Sequence, residues 1–274
     1  MAVSKEQKQL FAVKIKPYKS TAEDLKKEIS TMRAVARRNA RIEPYFLFKI
    51  AVLGIQRANT LVLMSRLSQE IQNIKNDSYL NDARRELNSL IGDLMKVVGE
   101  DIDGTLTENQ ELLPLIAQVS WEQRLHLCQG FKESIQNVKN AMGESSKWRW
   151  SFPDMHMRLA TLARNLLDFK AYERISKDPS HDDYRPLQEY FQFMMEESQL
   201  AAQEFRTKYE LSTRDVSDLQ KIQRIFEFQK KIYSFSGQKE ELKRVSTSLD
   251  NVNEMIESLI GGKKDKDKDK SRKK

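Results

Sequence analysis

A chain of 274 residues with only nine glycines and six prolines, and with 32% charged side chains, favours helix and excludes a turn-rich β fold. Its net charge of +7 sits at the ends: residues 1–43 hold eleven Lys/Arg against five Asp/Glu, residues 261–274 hold eight against three, and the body between is mildly acidic. The single cysteine, Cys128, excludes an intramolecular disulfide, and MAVSKEQKQLF carries no readable secretory signal, so a cytoplasmic location is expected.

In LFAVKIKPY, Phe11, Val13 and Ile15 alternate with Ala12, Lys14 and Lys16, the one strand-like pattern in the sequence. A lone strand makes no sheet, so residues 1–19 are expected to form an extended or frayed basic arm. Ser20 and Glu23 then read as a capping box for a helix to about Arg41, with Leu25, Ile29, Met32 and Ala36 on one face. Lys26, Arg33, Arg37, Arg38 and Arg41 spread over its other faces and form a candidate surface for an anionic partner.

The run from Pro44 to Asn76 is the most apolar in the chain. Pro44 suits a first helical position, and Leu53, Leu61, Met64, Leu67 and Ile71 recur at helical spacing. Lys49, Gln56, Arg57, Asn59 and Arg66 interrupt it, which favours the core post of a bundle over a transmembrane span. Gly54 suggests the close approach of a neighbouring helix. Leu80, Ala83, Leu87, Leu90, Leu94 and Val97 follow as a heptad seam of a second, antiparallel helix that stops at Gly99.

Residues 100–114 break the periodicity and read as a mobile loop or a sub-domain junction near 99–114. The loop holds DIDGTL, Asp101 to Leu106, which resembles the first motif of haloacid dehalogenase-like phosphatases. The resemblance implies a nucleophilic Asp101, a general acid/base Asp103 and magnesium-dependent phosphohydrolase chemistry. Its six residues follow the end of a heptad helix instead of a buried strand, so they read as an acidic turn. The calcium-loop register is also missed.

Ser120 and Gln123 make another capping box, and Trp121, Leu125, Cys128, Phe131, Ile135, Val138 and Met142 hold one face until Gly143. The connector WRWSF offers Trp148, Arg149, Trp150 and Phe152 as candidate protein-interaction anchors. A helix then runs along Met155, Leu159, Leu162, Leu166, Phe169 and Tyr172, and the next, from Pro186 to about Leu211, contains YFQFMM, read as core. Ser212 or Thr213 caps a further helix that ends at Gly237. The last carries Leu242, Val245, Leu249, Val252, Ile256 and Leu259, a second seam and a candidate for self-association, before a disordered lysine-rich tail over 261–274.

His126, His156 and His181 lie in separate segments, no Glu-x-x-His pair occurs, and no Walker A or dinucleotide glycine pattern is present. No catalytic residue, metal or cofactor is assigned. The sequence predicts an all-α protein, an elongated multi-helix bundle or helical array with coiled-coil-like antiparallel packing over residues 20–260. Its expected role is a non-enzymatic scaffold, adaptor or assembly component with protein partners and a homo-oligomeric option. The alternative is a nucleic-acid or anionic-membrane-surface binder using the basic N-terminal helix and C-terminal tail.

Overall fold

The computed structural model describes residues 3–271, the side chains of 262–271 excepted. Ser4 opens α1 (Lys5–Ala36): its side chain accepts from the Gln7 N–H, and the Gln7 side chain accepts from the Ser4 N–H. The arm expected over 1–19 is therefore helix from Lys5 onward. Phe11 and Ile15 are one turn apart and share the inner face, while Val13, which made the pattern look strand-like, is 71% exposed. Ile15, Ala22, Ile29 and Ala36 recur every seven residues as a buried seam that continues through Pro17. Burial on both sides of that proline outweighs the one backbone hydrogen bond its ring removes.

Eight further helices follow among the described residues: α2 (Glu43–Gln72), α3 (Asp77–Val98), α4 (Trp121–Met142), α5 (Phe152–Leu166), a short α6 (Phe169–Ile175), α7 (Tyr184–Lys208), α8 (Val216–Phe235) and α9 (Lys239–Ser271). No strand occurs among them. Pro44 lies in the first turn of α2, and Asn73, left-handed at φ 56°, closes it. Asn76 caps α3 by accepting from the Tyr79 N–H, and Gly99 ends it. The Ser120–Gln123 capping box and Gly143 bound α4 as the sequence predicts. Asp168 caps α6 with bonds from Lys170 and Ala171, so the helix expected through Tyr172 is broken at extended Leu167.

Helix α2 is long and apolar enough, by length and composition, to cross a membrane. Its neighbours are α1, α3 and α4. Arg57 shows how they are tied: its Nε donates to the Ala22 carbonyl of α1 at 3.1 Å, and its Nη1 pairs with Glu86 of α3. Gly54 lies under Leu90, whose Cδ1 would be 2.3 Å from a Cβ at that position, so the glycine lets α3 approach. Helix α4 runs parallel to α2, with Asn59 donating to Ser134 midway and Lys75 to the Met142 carbonyl at the far end. From there α4, α5 and α7 pack on one another, α8 lies on α7, and α9 lies on α8.

The segment between α3 and α4 does not divide the core, which is one cluster extending from Ile15 to Ile256. Ile102 and Leu113 are buried, and Asn109 donates to the carbonyls of Val98 and Asn165. Where a loop or sub-domain junction is expected near 99–114, the described residues form a loop tied down by Asn109, a contact that periodicity cannot register.

Candidate interaction surfaces and buried polar clusters

The basic face splits in two. Arg33 pairs with Asp93 of α3 at 2.7 Å and is neutralised within the chain. Lys26, Arg37, Arg38 and Arg41 are exposed, the last three in and beside the turn from α1 to α2, where Arg37 is the C-cap of α1 and Asn39 accepts from the Arg41 N–H. Among the described residues, none of these four has a side-chain hydrogen bond or ion pair. Three free guanidinium groups within five residues give this end of the bundle a local positive field.

The WRWSF residues do not form one exposed anchor. Phe152 is core at 1% exposure, and Trp148 is half-buried with the Arg84 guanidinium 4.4 Å from its ring centroid. Arg149 stacks over Trp150 at 4.7 Å and pairs with Glu144 at 2.9 Å, so these aromatics are occupied by cations of the same chain. The YFQFMM residues Tyr190, Phe191, Phe193, Met194 and Met195 are all buried.

The α9 seam is likewise committed within the chain. Val245, Leu249, Val252 and Ile256 are buried and Leu242 and Leu259 half-buried on the side that packs against α8, with Gln223 donating to Asn253 at the interface. Self-association through these residues would require α9 to leave α8. Helix α9 continues to Ser271 where a disordered tail over 261–274 is expected, and the side chains from 262 on lie outside the described residues.

The DIDGTL turn is held from two sides. Arg224 of α8 donates to Asp103 at 2.7 and 3.1 Å and to Asp101 at 3.1 Å, while Lys231 donates to the carbonyls of Asp103 and Gly104. Arg164 and Asn165 of α5 donate to the carbonyls of Thr105, Gly99 and Asp101. Hydrogen bonding from Arg224 holds the Asp103 carboxyl below the usual carboxylate range and raises the guanidinium. The turn thus works as a docked acidic knob.

Three charged clusters inside the core escaped the sequence reading. Arg124, 5% exposed, donates to the carbonyls of Val119, Leu166 and Ile116 and stacks on Trp121. Its charge sits on carbonyls that close α5 and the turn before α4, where a cation is favoured. Burial lowers its pKa. His156 of α5 and Glu197 of α7 are fully buried 2.6 Å apart, with Lys132 of α4 3.5 Å from the second carboxylate oxygen. His156 Nδ1 and Glu197 Oε1 share this hydrogen bond, and His156 Nε2 has no partner among the described residues. Lys208 pairs with buried Asp218 at 2.8 Å, and Thr213 donates to the other oxygen. Cys128 and Tyr190 lie 3.9 Å apart, and Tyr190 donates to the Ala163 carbonyl. Burial pushes the thiol up to about 12. A signal was available for several of these residues: Arg124, His156 and Glu197 fall at three- and four-residue spacing on otherwise apolar stripes. No group of three or more His, Cys, Asp or Glu side chains among the described residues is arranged to hold a metal ion.

Two of the clefts on the surface have a largely apolar lining. One of ≈ 720 Å³ lies between the N-terminal halves of α2 and α4, floored by Phe48, Val52, Ile55 and Leu127 and edged by Lys49 and His126. Gly130 keeps it open, and Val52 is 45% exposed in it. The other, ≈ 340 Å³, lies between α7, α8 and α9 around Tyr209, Leu219, Phe226 and Met255.

A family model described as the TP0443 family matches residues 7–260. Among solved structures, a chain from "Computational Design of Self-Assembling Cyclic Protein Homooligomers" is 14% identical and is aligned over 93% of this chain and 99% of its own length. Its TM-score of 0.27 lends no argument about arrangement or assembly. No curated protein matches.

Proposed function

The chain belongs to the TP0443 family, a name that carries no activity, and we propose that it is a non-enzymatic cytoplasmic scaffold, adaptor or assembly component acting through helix–helix contacts with protein partners. The observation that carries this reading is the α2/α4 cleft, an apolar floor with a polar rim on a rigid pair of parallel helices. An amphipathic helix laid into such a groove buries its i, i+3 and i+4 side chains. The placement of the acidic groups supports the non-enzymatic part: Asp101 and Asp103 share one guanidinium, which a phosphohydrolase nucleophile and its acid/base partner would have to give up.

The test is a comparison of captured partners with native chain and with Val52→Arg, which fills the cleft from an exposed position and leaves the core intact. Proteins lost from the Val52→Arg sample and retained by native chain support the reading, and an unchanged set overturns it.

A second reading is favoured by the free arginines of the α1–α2 turn, which suit phosphate contacts on a nucleic acid or an anionic surface. Under it, affinity for a polyanion falls steeply with salt and drops further in an Arg37→Ala/Arg38→Ala/Arg41→Ala variant.

A further inference from the structure

We propose that the outward face of the first half of α1 docks on an anionic phospholipid surface, with Leu10, Val13 and Pro17 entering the headgroup boundary and Lys14 and Lys16 meeting headgroup phosphates. This face is distinct from the α2/α4 cleft and from the arginine turn, and the proposal does not depend on either reading above.

Helix α1 is apolar on two opposite sides. Ile15, Ala22, Ile29 and Ala36 line the side buried on α2. Leu10, Val13 and Pro17, at spacings of three and four, fall on one outward strip, where Leu10 is 48% and Val13 71% exposed. A flank helix that packs chiefly on one neighbour leaves this strip unobstructed.

Charge decides the occupant. Residues 5–19 contain Lys5, Lys8, Lys14, Lys16 and Lys19 against the single acid Glu6, and none of these lysines makes a side-chain hydrogen bond or ion pair among the described residues. An apolar strip between free lysines is the composition of a helix lying in a membrane interface: the side chains enter at the acyl boundary and the ammonium groups stay with the phosphates. A nucleic acid would leave Leu10 and Val13 without a purpose, since it is held by charge and base stacking. A protein interface needs about 800 Å² per partner around a desolvated anchor, and this narrow strip offers no such centre. Asp24 and Glu28 lie on the same outward line about two and three turns beyond Pro17 and limit the docking face to the first half of α1.

The experiment is co-sedimentation of the full chain with vesicles of phosphatidylcholine alone and of equal parts phosphatidylcholine and phosphatidylglycerol, at low and high salt. Native chain is expected to bind the anionic vesicles, to bind the neutral ones far less, and to lose affinity as salt rises. Each lysine contact contributes about fivefold, so Lys14→Ala/Lys16→Ala should weaken binding about 25-fold. Val13→Asp should weaken it about tenfold or more without changing charge elsewhere, while Lys230→Glu, an exposed change on α8, should reduce binding less than Val13→Asp does. Circular dichroism and the unfolding midpoint confirm that these surface variants stay folded. As a second readout, Val13→Trp should bind more tightly and show a blue-shifted emission component with anionic vesicles only. Absence of binding to anionic vesicles overturns the proposal. So does binding that Val13→Asp leaves unchanged, or that DNA displaces equally from native chain and Val13→Asp, since charge alone would then explain it.

Discussion

Arg224 and Asp103 are joined by hydrogen bonds of 2.7 and 3.1 Å across 121 positions of sequence, so the acidic turn after α3 is fixed to a helix in the last third of the chain. The contact closes the loop that periodicity alone presents as a free break. It also gives the turn a pH dependence, because the Asp103 carboxyl is held below the usual carboxylate range.

Asp103→Asn should lower stability by about 1 kcal/mol at neutral pH, the value of a charge-assisted bond discounted for the partial exposure of both side chains. Because the folded-state pKa of Asp103 is depressed, its contribution is complete above the unfolded value of about 3.9 and fades as pH falls through the lower folded value. Urea denaturation of both proteins at pH 7 and pH 3 should therefore show a gap that narrows on acidification. A gap constant with pH would mean that the ion pair contributes nothing.

Gly54 and Leu90 make a second testable pair. Gly54→Ala improves helix propensity by about 1 kcal/mol, but its Cβ would collide with buried Leu90, an overpacking cost of about 1–3 kcal/mol. Net destabilisation is expected, and Leu90→Ala should cost less in the Gly54→Ala background than in the native one. Additive effects in a double-mutant cycle would show that the two helices are not in contact at this point.

The fold was legible wherever an apolar stripe met a strong end signal: the Ser120–Gln123 box and Gly143 bound α4, Gly99 ends α3, and Gly237, at φ 71°, follows α8. It was illegible where a local pattern competed with a distant partner. Val13 made residues 11–15 alternate like a strand, and only the buried surface of α2 decides that α1 continues through Pro17. The surfaces were harder still. Arg33 and the α9 seam were read as available because their partners, Asp93 and α8, are distant in sequence or lie on the next helix. Arg37, Arg38 and Arg41, expected on a helix face, lie in and beside the turn that follows α1, where they are exposed.

Burial along α2 divides residues that look alike in sequence. Leu61 and Met64 are 4% and 2% exposed, whereas Leu63 is 47% exposed and Leu53 only half-buried. Leu61→Ala and Met64→Ala should each cost about 2–5 kcal/mol, and Leu63→Ala less than about 0.5 kcal/mol. Equal losses at positions 61 and 63 in chemical denaturation would place α2 in the wrong rotation.

His156 and Glu197 should behave as a coupled, fully buried hydrogen-bonded pair. Glu197→Leu leaves His156 and Lys132 facing an apolar side chain and should cost about 3–5 kcal/mol. Adding His156→Leu removes one of the stranded groups, so the double variant should be more stable than Glu197→Leu alone. A double variant that loses the sum of the two single losses would mean that the residues do not interact.

Cys128 offers a reporter of how the α4–α5–α7 core opens. The thiol is fully buried, its pKa is pushed up to about 12, and its neighbour Tyr190 is itself bonded to the Ala163 carbonyl. At pH 8 almost no thiolate exists in the native state, and no path admits a reagent while α4, α5 and α7 stay packed. Labelling by an aromatic disulfide should then proceed only through opening of the core, with a rate that rises with urea in step with global unfolding. Tyr190→Phe removes the bond to the carbonyl, a loss of about 1 kcal/mol, and should speed labelling about fivefold if opening is rapid relative to reaction. Labelling of the native protein as fast as of the urea-unfolded chain would refute the burial of Cys128 between these three helices.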